Sequence, residues 1–249
     1  MSIPDTLGTL LIETVKGHQL GGAFLMLGRQ GFVGSRRGPS AKDFEAAIQT
    51  HLPGLTEDDL RNPDNAYSET FFAKLGFDSV DSLDFSDFEN ASVIHDLTQP
   101  VGDDLAARFD VIYDGGTCEH VFELPTAYRN IDRMLRPGGV LIGHSPCNNW
   151  INHGFYQITP EMVYGFWQKA MGYEVLDLLL QPIRPAHARK TARTTNPNDT
   201  GVRPRIRGEL PAGSPVILHY VVRKPLTQQA QGGVYQTDYM KRWSDDDED

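Results

Sequence analysis

Four strand-like apolar runs in this chain end on residues suited to holding a polar ligand. Ala23-Phe24-Leu25-Met26-Leu27 stops at Gly28, Ser79 to Leu83 at Asp84, Ser92 to His95 at Asp96, and Phe109 to Tyr113 at Asp114-Gly115-Gly116-Thr117. A glycine at a strand end lets backbone approach a ligand closely. Acids at neighbouring strand ends accept hydrogen bonds from ribose hydroxyls or from an exocyclic amine. A second group is Glu119-His120, just past the fourth run, with His153 further along. Adjacent helical residues point about 100° apart, so Glu119 and His120 converge only with help from another segment. A histidine near its ordinary pKa of ~6.5 exchanges a proton at neutral pH. Two histidines and one carboxylate also suit a metal that keeps open positions.

The elements around these residues have to position them. A fifth run, Gly139-Val140-Leu141-Ile142-Gly143, is followed by Tyr173–Leu180 and Val216–Val222, and helix-like stretches lie between the runs. Pro125 to Leu135 carries Ala127, Tyr128, Ile131, Met134 and Leu135 on one helical face, and Arg136-Pro137-Gly138-Gly139 stops it. Thr159-Pro160-Glu161 opens another helix, with Thr159 as N-cap and Pro160 at the first helical position. Its inward residues are Met162, Val163, Phe166 and Trp167, and Gly172 ends it. Short buried runs alternating with helices predict an α/β fold, a parallel sheet covered on both faces. Ligands of such sheets sit beyond the carboxyl ends of the strands, where the glycine and the acids fall.

The chain reads as one domain, 1–249, with insertions at about 32–76 and 184–214 and a disordered acidic tail at 244–249. The first insertion holds helix candidates at Ala41–Thr50 and Tyr67–Leu75. The second is rich in Pro and Arg, with Arg184, Arg189, Lys190, Arg193, Arg203, Arg205 and Arg207. Connections this long are usually functional or disordered. With 39% hydrophobic and 22% charged residues, collagen-like, coiled-coil and wholly disordered classes are excluded. No window approaches the ~20 apolar residues of a membrane span, and no basic start precedes an apolar stretch. Cys118 and Cys147 do not make a disulfide framework, which predicts a reducing, cytoplasmic setting; Cys118 reads as a packing residue. Half of the net charge of −10 lies in Asp245–Asp249. That balance speaks against nucleic acid as partner, and no aromatics interleave the basic segment.

The stretch from Phe109-Asp110-Val111-Ile112-Tyr113 through Glu119-His120-Val121 to Arg136-Pro137-Gly138-Gly139-Val140-Leu141-Ile142 resembles one family closely. It is similar to the fourth strand, following helix and fifth strand of the class I S-adenosylmethionine-dependent methyltransferases. The Leu-Arg-Pro-Gly-Gly stop before a strand is its most specific part, and the resemblance spans about residues 20–180. It implies a Rossmann-like, mostly parallel seven-stranded sheet with helices on both faces and a reversed last strand. It also implies S-adenosylmethionine as cofactor. Gly28 would open the cofactor loop, Asp84 would take the ribose diol, and Asp96 would lie beside the adenine. Asp114, Gly115 and Thr117 would line the methionine end. The chain departs from the family in Leu27-Gly28-Arg29-Gln30-Gly31, which stands where G-x-G-x-G is usual. There Arg29 is the candidate for the cofactor carboxylate, as a guanidinium suits. Asp81 is the alternative to Asp84.

The function expected is methyl transfer to an oxygen or nitrogen of a small-molecule acceptor, driven mainly by alignment. His120 and His153 are the candidate catalytic residues. A similar Glu-His pair with a later histidine binds a divalent metal in the small-RNA 2′-O-methyltransferases. That pattern has a further glutamate three residues earlier, where Gly116 stands, so a metal-free base and orienting group is the favoured role. Two other classes compete. A cofactor-free interaction protein on a methyltransferase fold is one. A nicotinamide-dependent oxidoreductase is the other, and it would want a better phosphate-binding loop than Gly28-Arg29-Gln30-Gly31.

Overall fold

The structure, a computed structural model, describes residues 2–34, 38–203, 206, 208–227 and 233–240. The acidic tail at 244–249, with Arg205 and Arg207 of the basic segment, lies outside the described residues. In chain order the elements are β1 (Ser2–Ile3), α1 (Asp5–Gly17), β2 (Ala23–Leu27), β3 (Gly31–Phe32), α2 (Pro39–His51) and α3 (Glu69–Leu75). There follow β4 (Ser79–Asp84), β5 (Val93–Ile94), β6 (Phe109–Asp114), α4 (Leu124–Met134), β7 (Leu135–Asn148) and a π-wound helix, Met162–Ala170. Strand β8 (Glu174–Pro182), α5 (Pro197–Thr200) and β9 (Val216–Arg223) complete the order.

Every residue from Phe24 to Leu27 is buried, so β2 has helices over both of its faces. Phe24 and Met26 point into one layer with α1, α2 and α3. Leu25 and Leu27 point into the other, with Tyr128 and Ile131 of α4 and Trp167 of the π-wound helix. The main sheet runs β5-β4-β2-β6-β7-β9-β8. Strands β5, β4, β2, β6 and β7 are mutually parallel, while β9 runs antiparallel to both β7 and β8. This is the seven-stranded, mostly parallel sheet with a reversed last strand that the resemblance implied.

The two long connections differ from loose loops. The first contributes Phe44, Phe71 and Phe72, all fully buried, with Phe72 stacked 4.2 Å from Phe24 and Phe71 4.9 Å from Phe32. Aromatic side chains on helical spacing bury too much apolar surface to stay on a mobile cover. The second connection is basic, yet acids elsewhere in the chain answer its arginines: Arg189 pairs with Asp43, Arg193 with Asp177 and Arg203 with Asp238. Helix α4 is tied to the β5–β6 connection by Asn130, which donates to Leu97 and Gln99 and accepts from Val101. The chain after α4 does not merely stop a helix. Leu135 already pairs with Phe109, so Arg136-Pro137-Gly138 forms the bulged entry of β7. Met162–Ala170 keeps the expected inward Val163, Phe166 and Trp167, but its wider winding also buries Tyr164 and Gly165. Among the described residues no helix is long and apolar enough to cross a membrane, and Cys118 and Cys147 are free thiols.

A row of polar groups crosses the interior of the sheet. Tyr113 Oη lies 3.0 Å from His144 Nδ1, His144 Nε2 is 2.8 Å from His219 Nδ1, and His219 Nε2 is 3.4 Å from Thr14 Oγ1. The two histidines face each other across β7 and β9. Burial holds His144 well below the usual imidazole range and pulls His219 down to about 4. Both rings are therefore neutral in the fold and protonate more readily once it opens. Their contribution is complete above the ordinary value of 6.5 and is lost as pH falls from there toward about 4. Urea unfolding across that window is expected to show stability falling, with His219 alone accounting for about 3 kcal/mol. The fall should be smaller in His219→Asn; equal slopes in both proteins would contradict it.

Candidate active site

Strand register brings the ends of the parallel strands to one level. Leu27 pairs with Leu83 on one side and with Asp114 on the other, and Asp114 pairs with Gly143. Gly28, Asp84 and Gly115 thus leave the sheet side by side. Gly28 has a left-handed backbone (φ +65°), and a Cβ there would lie 2.8 Å from Thr117 Oγ1. Thr117 in turn donates to the Leu27 carbonyl at 2.7 Å, so the loops after β2 and β6 close on each other at a point only glycine fits. Gln30 is buried beneath them and also donates to that carbonyl. Arg29 turns the other way. Its guanidinium meets Glu69 at 2.6 Å and the Glu89 carbonyl at 2.5 Å, and it stacks 3.9 Å over the Tyr67 ring.

The structure separates the two candidate acids of β4. Asp81 sits within the sheet and accepts from Ser92 Oγ at 2.8 Å and from Arg108 at 3.3 Å. Asp84 stands at the carboxyl end, partly exposed, with one oxygen on the Phe85 amide at 2.7 Å. Asp96 lies two residues beyond β5 and accepts from Thr98 N at 2.9 Å; bonds from Thr98 hold its carboxyl below the ordinary range. Asp114 is fully buried. One of its oxygens accepts from Thr117 N and Cys118 N, nucleating the turn Cys118–His120, and the other has no partner among the described residues. Gly116 has φ +99°, a conformation in which a glutamate would be strained. No carboxylate therefore faces the cluster from this position.

Glu119 is the residue whose weight the sequence reading underestimated. Its side chain is 0% exposed, and neither carboxylate oxygen has a hydrogen-bond partner among the described residues. Glu119 Oε1 lies 3.5 Å from His153 Nε2 and 3.8 Å from His120 Nε2, with the two imidazoles 5.0 Å apart. The tight turn Cys118–His120, not a regular helix, and the arrival of the loop after β7 together make them converge. That loop is clamped in place. The Glu119 carbonyl accepts from Phe155 N at 2.9 Å and Tyr156 N at 3.3 Å, and Tyr156 Oη donates to the Phe122 carbonyl at 2.8 Å. Trp150 donates to the Val216 carbonyl and supports the His153 ring from 4.7 Å. Burial, reinforced by the charge of Asp114, pushes the Glu119 carboxyl up to about 8. Burial and then His120 draw His153 below its usual range. Phe122 and Phe155, both exposed, meet edge to face 5.6 Å apart beside the histidines. A buried carboxylate backed onto two accessible imidazoles can hold a proton or a cation.

Residues 82–143, the segment from β4 to β7, match the family described as a methyltransferase domain. No curated protein matches the chain. Among solved structures, one neighbour is the 1,6-didemethyltoxoflavin-N1-methyltransferase of Burkholderia thailandensis, with bound 1,6-didemethyltoxoflavin and S-adenosylhomocysteine. It is 15% identical over 89% of this chain and 80% of that one, with a TM-score of 0.45. The N-methyltransferase NodS from Bradyrhizobium japonicum WM9, in complex with S-adenosylhomocysteine, is 13% identical over 87% and 85%, with a TM-score of 0.42. The [4+2]-cyclase SpnF is 15% identical over 90% and 81%, with a TM-score of 0.46. The segment match and the strand order, with β9 reversed between β7 and β8, identify the fold of the class I S-adenosylmethionine-dependent methyltransferases.

The clamp can be tested at Gly154, where a Cβ would lie 2.9 Å from the Glu119 carbonyl oxygen. Gly154→Ala is expected to lower unfolding stability by about 1–3 kcal/mol, because backbone rather than a flexible side chain must shift. An unchanged urea midpoint would show that the loop is not seated on Glu119.

Proposed function

We propose that this protein transfers a methyl group from S-adenosylmethionine to an oxygen or nitrogen of a small-molecule acceptor. The observation that carries this reading is the alignment of Gly28, Asp84 and Asp114 at one end of the parallel sheet, with the Glu119 cluster on the same side. The left-handed Gly28 and the buried, half-partnered Asp114 fit a cofactor whose polar groups approach backbone. Asp84 would accept the ribose hydroxyls, Asp96 would lie near the adenine, and Asp114, Gly115 and Thr117 would face the methionine end. Arg29 is left out of this set, because its guanidinium is committed to Glu69 and Glu89. When bound, the cofactor supplies an electrophilic methyl group on a sulfonium.

The chain's own residues do the rest. The loops after β6 and β7 exclude water from one side of the acceptor, and His120 and His153 act on it by orienting it. A small acceptor is supported by the acidic balance of the chain and by the pairing of Arg189, Arg193 and Arg203 with acids of the same chain.

Isothermal titration with S-adenosylhomocysteine tests the reading, and submillimolar affinity is expected. Asp84→Ala should weaken binding by about 1.5–3 kcal/mol per hydrogen bond lost, roughly 10- to 150-fold. Asp81→Ala should lower stability and leave affinity unchanged. Equal loss in both variants would overturn the assignment of Asp84. Binding of a nicotinamide dinucleotide instead would favour the oxidoreductase, and binding of neither would favour an interaction protein.

A further inference from the structure

We propose that Glu119, His120 and His153 form a binding site for a divalent first-row transition ion, with zinc as the reference case. One ligand atom from each residue lies within 4.8 Å of the other two. Two of these separations are 3.5 and 3.8 Å. Ligands at ~2.1 Å around a tetrahedral ion are ~3.4 Å from one another, so the gap needs closing by only a fraction of an ångström on these edges.

Three independent features point to a cation. A fully buried carboxylate with both oxygens unpartnered is costly unless something positive meets it. His153 Nε2, which faces it, is also without a partner among the described residues. The donor set, two imidazoles and one carboxylate, suits zinc, cobalt, nickel or iron; calcium and magnesium prefer all-oxygen sites. The scaffold is already rigid, because the backbone bonds from Phe155 and Tyr156 to Glu119 hold the turn and the loop together.

The site is of the open kind. His120 is 46% and His153 26% exposed at the side chain, whereas Glu119 is sealed. With the left-handed Gly116 in place of a further carboxylate, the protein supplies three ligands, the number typical of metals that keep a position for water or substrate. On the methyl-transfer reading, from which this role alone derives, that position would receive the acceptor's oxygen or nitrogen and lower its pKa. Ion binding itself stands on the geometry.

The test is direct titration of the full chain, stripped with a chelator, using zinc in calorimetry and cobalt followed by its visible absorption. One ion per chain is expected, at micromolar affinity or tighter, together with a rise in the thermal midpoint on adding zinc. Glu119→Gln and His153→Ala should each weaken binding by at least about a hundredfold, beyond the 10- to 100-fold typical of lost outer-shell partners. Unfolding midpoints in chelator show whether each variant folds. Should His153→Ala fail to fold, His120→Ala, at the more exposed position, makes the same comparison. Absence of saturable binding to the wild-type chain, or equal binding by the folded variants, would overturn the proposal. Metal binding without S-adenosylhomocysteine binding would keep it and remove the functional reading; the reverse would do the opposite.

Discussion

The carboxyl group of Glu119 is buried with no hydrogen-bond partner among the described residues, and the loop after β7 is seated on the backbone of the same residue. Such a group costs several kcal/mol in its ionised form, so a fold keeps it only where surrounding structure outweighs the penalty. Here the same residue supplies the compensation. Its backbone carbonyl takes two amide bonds from the loop after β7, and that loop carries His153 to within 3.5 Å of the carboxylate. The interaction that anchors the loop is thus also the one that keeps the carboxyl buried, and burial is what raises it to about 8.

Upstream of that contact lies the sheet. A parallel register that sets Leu27 beside both Leu83 and Asp114 delivers glycine, acid and turn to one level without any special local feature. The register is held from both faces. Phe24 and Met26 are pinned by the phenylalanines of the first insertion, Leu25 and Leu27 by α4 and Trp167. What looks in the chain like a detour between β2 and β4 is therefore part of the support for the strand ends.

Much of this was legible before any coordinates. Short apolar runs at β2, β6 and β7, alternating with helical stretches, pointed to a two-sided parallel sheet, and the face Ala127, Tyr128, Ile131 and Met134 pointed to α4. The position of the acids at the strand ends was legible too, although each also caps its own turn, as Asp84 does with Phe85, Asp96 with Thr98 and Asp114 with Thr117. The first insertion was harder: periodicity revealed its helices but not that Phe44, Phe71 and Phe72 pack into the main core. The surroundings of Arg29 were not legible, because its partners Glu69 and Glu89 lie 40 and 60 residues away and only the fold brings them to it. The environment of Glu119 was hidden in the same way. Its neighbour His120 drew attention, and no sequence signal reports that a carboxylate will be sealed by backbone from a loop more than thirty residues downstream.

The central claim is spatial: one ligand site runs from Gly28 across the strand ends to the Glu119 cluster. A crystal structure of the chain with S-adenosylhomocysteine measures it most directly. The account requires the ribose at Asp84 and the sulfur on the side nearer His120 and His153. A molecule bound elsewhere, for instance in the 560 Å³ cavity between α1, α2 and β8 lined by Thr6, Ser40, Asp43 and Arg189, would contradict it.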